Sequence, residues 1–238
     1  MRVVALVLGL CACDRVFNFD EVHLAAGDAS GSGDAAIDSA VDAGPLMTCL
    51  AENFNGGSYD LTHFGLTIAD PNYAAAQVSN GVFDVTWKPA HQDGASLATN
   101  ARFDLRGSEI DVDVESFAGD FADSELYVSL SADHFLDIAV SESDVAFEYN
   151  DGGTITSSYK TKPYSATPVH LRMSFDASGA NVTFFAHTAM GDFTDTEMAP
   201  FGATNLSIGI AAGAYNVSAT RSGTASFDNF VVMQPSCF

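Results

Sequence analysis

Positive charge is scarce in this chain. Nine lysines and arginines stand against 31 aspartates and glutamates in 238 residues, a formal net charge of −22. Nucleic acids and anionic lipid headgroups are held through Lys and Arg contacts to phosphate, so both are excluded as partners of the polypeptide surface. Tryptophan is nearly absent, with Trp87 alone. No apolar run approaches the roughly 20 residues that a membrane-spanning helix needs. The six histidines are scattered without the spacing of a zinc site. No G-x-S-x-G elbow, P-loop or dinucleotide fingerprint occurs, which removes the common hydrolase and nucleotide-binding signatures. Only four cysteines are present, at positions 11, 13, 49 and 237.

What is present divides into three stretches. Residues 1–12 have the form of an export leader: Met1-Arg2, the short apolar run Val3 to Leu10, and then Leu10-Cys11-Ala12-Cys13. That tetrapeptide resembles the bacterial lipobox, with Leu10 and Ala12 ahead of an acceptor Cys13. The resemblance implies lipidation of Cys13 and an exported, membrane-anchored lipoprotein of the cell envelope. An ordinary cleaved signal peptide is the competing reading. Residues 13–47 are expected to be a tether. Within them Ala25 to Pro45 is almost entirely Ala, Gly, Ser and Asp, which buries too little apolar surface to offset its ordering entropy.

Residues 48–238 are expected to form one domain. With Cys11 assigned to the leader and Cys13 to the lipid, Cys49 and Cys237 are left near the domain's two ends. In an oxidising compartment a disulfide between them is the default, and two separate thiols are the alternative. Period-two alternation recurs along the domain. Phe83, Val85 and Trp87 share one face, and so do Ile110, Val112 and Val114 opposite the carboxylates of Glu109, Asp111, Asp113 and Glu115. Leu126-Val128-Leu130, Leu136-Ile138-Val140, Val145-Phe147-Tyr149, Leu171-Met173-Phe175 and Leu206-Ile208-Ile210 repeat the pattern. Many short one-sided strands predict an all-β fold of two antiparallel sheets packed face to face.

The terminal FDNFVV (Phe227 to Val232), the opening ENFNGG (Glu52 to Gly57) and the hairpin LRMSFDASGANVTFFA (Leu171 to Ala186) resemble the concanavalin A-like jelly rolls. These are the lectin, laminin-G and glucanase-type sandwiches. In that fold the first and last strands pair, which would bring Cys49 to Cys237. The stretch Glu109-Ile110-Asp111-Val112-Asp113 resembles the catalytic strand of laminarinase-type glycoside hydrolases. The resemblance implies Glu109 as nucleophile, Asp111 as helper and Asp113 in the place of the acid/base. The match departs from the pattern there, because aspartate stands where glutamate belongs and the tryptophan-rich segment is missing. A solvent-facing strand whose charges keep the sheet soluble is the competing reading.

Two further sites are expected. Glu52 and Asp228 are candidates for a structural Ca²⁺ site where the first and last strands meet, since calcium takes hard oxygen ligands. Tyr127, His170, Arg172 and His187 are candidates for a carbohydrate face. No cofactor other than that calcium is implied. The leading expectation is a non-catalytic binding module, with glycans or another envelope protein as partners and the lipid as its link to the membrane. A divergent glycoside hydrolase using Glu109, Asp111 and Asp113 is the second reading. A structural or adhesive envelope protein without a small ligand is the third.

Overall fold

The computed structural model describes residues 45–153 and 162–237. The expected leader and tether, apart from 45–47, lie outside the described residues. Fifteen strands account for all the regular structure among the described residues, and every strand pairing is antiparallel. The first sheet runs, edge to edge, β13 (Gly191–Met198), β12 (Asn181–Thr188), β11 (Val169–Phe175), β6 (Glu109–Ala118), β15 (Gly223–Gln234), β4 (Val82–Trp87) and β3 (Ala74–Ser79). The second runs β10 (Lys162–Pro163), β9 (Asp144–Asp151), β8 (His134–Val140), β7 (Ala122–Ser131), β14 (Ser207–Ala214), β5 (Gly94–Thr99) and β2 (Phe64–Ile68). The predicted all-β sandwich is therefore the fold.

Strand β15 is the spine of the first sheet. One flank pairs with β6 along nearly its whole length. The other flank is shared, with β4 against Gly223–Phe227 and β1 (Met47–Glu52) against Phe230–Gln234. First and last strands thus pair, and the Cys49–Cys237 disulfide joins them with Cα atoms 5.2 Å apart.

The predicted alternation decides which side chains meet between the sheets. Phe83, Val85 and Trp87 of β4, Ile110, Val112 and Val114 of β6, Leu171 and Met173 of β11, and Phe227, Phe230 and Val232 of β15 form the first sheet's inner face. Leu126 and Val128, Leu136 and Ile138, Phe147, and Ile208 and Ile210 form the second's. The two faces interlock, as where Phe147 stacks on Phe184 at 5.6 Å between ring centroids. Trp87 belongs to this core. A Cβ on Gly223 would lie 2.0 Å from its indole, so only glycine admits the ring there.

Candidate functional site

Alternation that buries every second residue turns the intervening ones outward, and the two outward faces differ in kind. On the first sheet, β6 presents Glu109, Asp111 and Asp113 to basic groups on β11. Antiparallel register sets Asp113 opposite His170 and Asp111 opposite Arg172. His170 Nε2 lies 2.9 Å from Asp111 and its Nδ1 2.7 Å from Asp113. Arg172 Nε donates to Asp111 at 2.7 Å, and its Nη1 lies 3.5 Å from Glu109. Asn229, at a positive-φ position in β15, donates to the other oxygen of Asp113 at 2.8 Å. Hydrogen bonds first to Asp111 and then to Asp113 push His170 up to about 9, so it is a cation at neutral pH. The bond from His170 in turn holds the Asp113 carboxyl below its ordinary range. The three carboxylates that the resemblance marks as catalytic thus share two cations, His170 and Arg172.

Strands β7, β8 and β9 of the second sheet carry a different arrangement. Leu126 and Val128 point into the core, so Asp123, Glu125 and Tyr127 point away from it. Register places Tyr127 opposite Asp137, and Asp137 opposite Glu148. Asn150 follows two residues along β9, on the same face. Asp123, Asp137 and Asn150 are only 7, 5 and 4 % exposed, and Glu148 is buried as well. Small neighbours leave room for these groups: Ala211 stands opposite Glu125 on one side and Ala139 on the other, and Ala146 opposite Ala139. Gly209 faces Tyr127, where a Cβ would lie 2.5 Å from the ring. The Tyr127 hydroxyl is hydrogen-bonded to Ser96, and burial holds its proton above the ordinary phenol range.

These carboxyls shift one another. Burial, then Glu148, push Asp123 up to about 7. Burial pushes Glu148 up to about 7. Burial, then their acidic neighbours, hold Glu125 and Asp137 well above the usual carboxylate range. Asp123 and Glu125 are hydrogen-bonded to each other, which two carboxyls achieve only by sharing a proton. Three acceptor oxygens on this face, Oδ1 of Asp123, of Asp137 and of Asn150, are buried without a hydrogen-bond donor. Aromatic rings border one end. Phe121, 46 % exposed, meets Tyr215 edge-on at 6.5 Å, and Tyr73 stacks on His91 near Asp93.

The structure separates residues that the sequence grouped. His170, Arg172 and His187 share the outer face of the first sheet, with His187 paired to Asp192 at 2.6 Å. Tyr127 stands on the second sheet, among the buried carboxyls. Glu52 directs one oxygen to the Phe54 amide and the other to the Asp60 amide, at 2.9 and 3.0 Å, and so braces the loop after β1. Asp228 accepts from the Asn229 amide at 2.7 Å. Among the described residues no three His, Cys, Asp or Glu side chains are placed to hold a metal ion. Sequence reasoning missed Asp123, Glu125, Asp137, Glu148 and Asn150. Their alternation with Leu126, Ile138 and Phe147 was visible, but the strand register that gathers them was not.

No protein-family model matches the sequence, and no curated protein matches it. Solved structures match its fold, which is the two-sheet jelly roll of the concanavalin A-like class. A laminarinase from Flavobacterium sp. UMI-01 superposes with a TM-score of 0.59 at 12 % identity, covering 79 % of this chain and 100 % of that one. A Bacillus licheniformis β-glucanase gives 0.58 at 12 %, covering 78 % and 97 %. The Bacteroides ovatus xyloglucan-locus protein GH43B gives 0.54 at 12 %, covering 79 % of this chain, and the match spans only 39 % of that protein's length.

Proposed function

We propose that the domain binds a glycan on the outer face of its second sheet, and that Cys13 and the tether display it from a bacterial membrane. The carrying observation is the cluster of buried carboxyl and amide groups on β7, β8 and β9, with acceptors lacking donors and aromatic rings at its end. Sugar recognition needs this combination: rings that take a pyranose face, and a few fixed polar groups that orient hydroxyls. The shared fold with a laminarinase and a β-glucanase agrees with a saccharide ligand. The test is binding of the full chain to a glycan array, repeated with Glu125→Gln and with Asp137→Asn. Binding unaffected by either substitution would remove the site. Cys13 is tested separately: Cys13→Ala should move the protein from the membrane to the soluble fraction.

A further inference from the structure

We infer that residues 15–24 (RVFNFDEVHL), outside the described residues, dock on the outer face of the second sheet, with Phe17 and Phe19 on its floor of small side chains and Arg15 at its buried acceptors. The contact does not depend on the glycan reading. Where that reading holds, the segment occupies the same face and the ligand displaces it.

The two outer faces differ in cover. On the first sheet, Asn181 and His187 of β12 are exposed, and Thr183 and Phe185 are half-buried. The corresponding outward positions of the second sheet are closed off: Ser96, Ala211, Tyr127, Asp137, Ala146 and Glu148 are all buried. Among the described residues no strand lies over them, because the two sheets meet through their inner faces. A further stretch of chain above the face accounts for that burial. Register lines up Ser96, Ala211, Glu125, Ala139 and Ala146 in one row across five strands. With strands about 4.8 Å apart, the row is a shallow trough roughly 20 Å long, the length of about six extended residues. Beside it, Oδ1 of Asp123, of Asp137 and of Asn150 lack donors, and each of these residues is more than nine-tenths buried.

Upstream of the domain one segment has the matching chemistry. Phe17 and Phe19 are the only aromatic residues before Phe54, and Arg15 is the only lysine or arginine between Arg2 and Lys88. Extended chain puts Arg15, Phe17 and Phe19 on one side. The rings have apolar area to bury on small side chains, and a guanidinium brings five N–H donors and a positive charge to oxygens that only accept. Asp20 and Glu21 fall at or past the end of a trough that Arg15 to Phe19 nearly fill. Ala25 to Pro45 has neither an aromatic nor a basic residue. As a flexible linker of about 20 residues it spans roughly 25 Å. That is enough to pass from β1 round to the far face of a sandwich whose sheets lie about 10 Å apart. A segment tethered at this length is held at roughly millimolar effective concentration, so a contact too weak for a free peptide persists within the chain.

Photocross-linking of the full chain tests this, with p-benzoylphenylalanine at position 17 or, as a control within the spacer, at position 37. From position 17 the monomeric protein is expected to cross-link to peptides of β5, β7, β8, β9 or β14, at about tenfold the yield from position 37. Arg15→Glu/Phe19→Ser should remove that excess. The same double variant should raise carbodiimide labelling of Glu125 and Glu148 and leave that of the exposed Asp192 unchanged. Cross-links to the outer face of the first sheet overturn the inference. Cross-links between two chains overturn it in favour of a second copy as the occupant. A yield from position 17 no higher than from position 37, or labelling of Glu125 and Glu148 that the double variant does not change, overturns it as well. No glycan is present in these measurements, so a blank glycan array removes the glycan reading and leaves this contact standing.

Discussion

Asp137 and Glu148 stand directly opposite each other on neighbouring antiparallel strands, buried, with carboxylates as their nearest ionisable company. Like charges in that position destabilise a sheet. The pair is tolerated by holding protons. A carboxyl whose pKa is raised on folding contributes its stability below its unfolded value and loses it as pH rises through its folded value. For Glu148 that window runs from about 4.5 to about 7, and for Asp123 from about 3.8 to about 7. The domain should therefore melt at its highest temperature near pH 4 to 5 and lose stability steadily up to pH 8. Glu148→Gln should flatten that decline, raising the melting temperature at pH 8 and leaving it nearly unchanged at pH 4. A parent protein with equal melting temperatures at pH 4.5 and pH 8 would sink the idea.

His170 supplies a prediction on the other sheet. Its pKa is also raised, by Asp111 and then Asp113, so its contribution is complete below about 6.5 and is lost as pH rises through about 9. The ring is about one-third exposed, and the energy is accordingly small, no more than about 1 kcal/mol. The titration itself is the better readout. The ring-proton resonance of His170 should move with a midpoint near 9, and Asp111→Asn or Asp113→Asn should lower that midpoint. A midpoint at the ordinary histidine value in the parent protein would mean that the bridge between the two aspartates is not formed in solution.

How far the sequence could lead is visible in these two clusters. Alternation on β6 and β11 showed that Glu109, Asp111 and Asp113 face one way and that His170 and Arg172 do so on their own strand. It could not show that the two strands are neighbours, because β11 follows β6 only after four intervening strands. Once register sets Asp113 against His170 and Asp111 against Arg172, a catalytic-looking triplet is seen with two of its carboxylates held in ion pairs. The second sheet is the converse case. The alternation that makes Tyr127 a candidate for a ligand face also puts Asp123 and Glu125 on its side of the strand. What gathers them is the lateral pairing of Tyr127 with Asp137 and of Asp137 with Glu148, and pairing between strands leaves no mark on a period-two pattern. The disulfide was legible because it needed only the ends of the domain to be adjacent.

That disulfide closes a loop of 188 residues and ties β1 to β15. The chain-entropy account assigns about 5 kcal/mol to so long a loop, and measured losses from small exported domains are typically about 2–5 kcal/mol. For a domain of this size each kcal/mol moves the melting temperature by about 2–4 °C. Cys49→Ala/Cys237→Ala should therefore melt on the order of 10 °C lower. Because β1 pairs along β15, hydrogen exchange should rise first in Met47–Glu52. Uniform exchange across both sheets would mean that the link stabilises the whole domain and not that pairing.

The position of Tyr127 over Gly209 is testable by stability alone. A methyl at residue 209 would fall 2.5 Å from the phenol carbon and oxygen, and 2.8 Å from a ring carbon. The ring cannot retreat along the sheet without giving up its bond to Ser96, or sideways without meeting Asp137 on the adjoining strand. Gly209→Ala should then cost about 1–3 kcal/mol, as overpacking does elsewhere. A sheet position where the added side chain met no ring would show a neutral or slightly favourable change, because alanine loses less backbone entropy than glycine. The double variant Gly209→Ala/Tyr127→Ala separates the two causes. With the ring gone the methyl has space, so the pair should be less destabilised than the sum of the single variants, by about 1 kcal/mol or more of coupling. Additive losses would place the ring elsewhere and detach Tyr127 from the carboxyl row it borders.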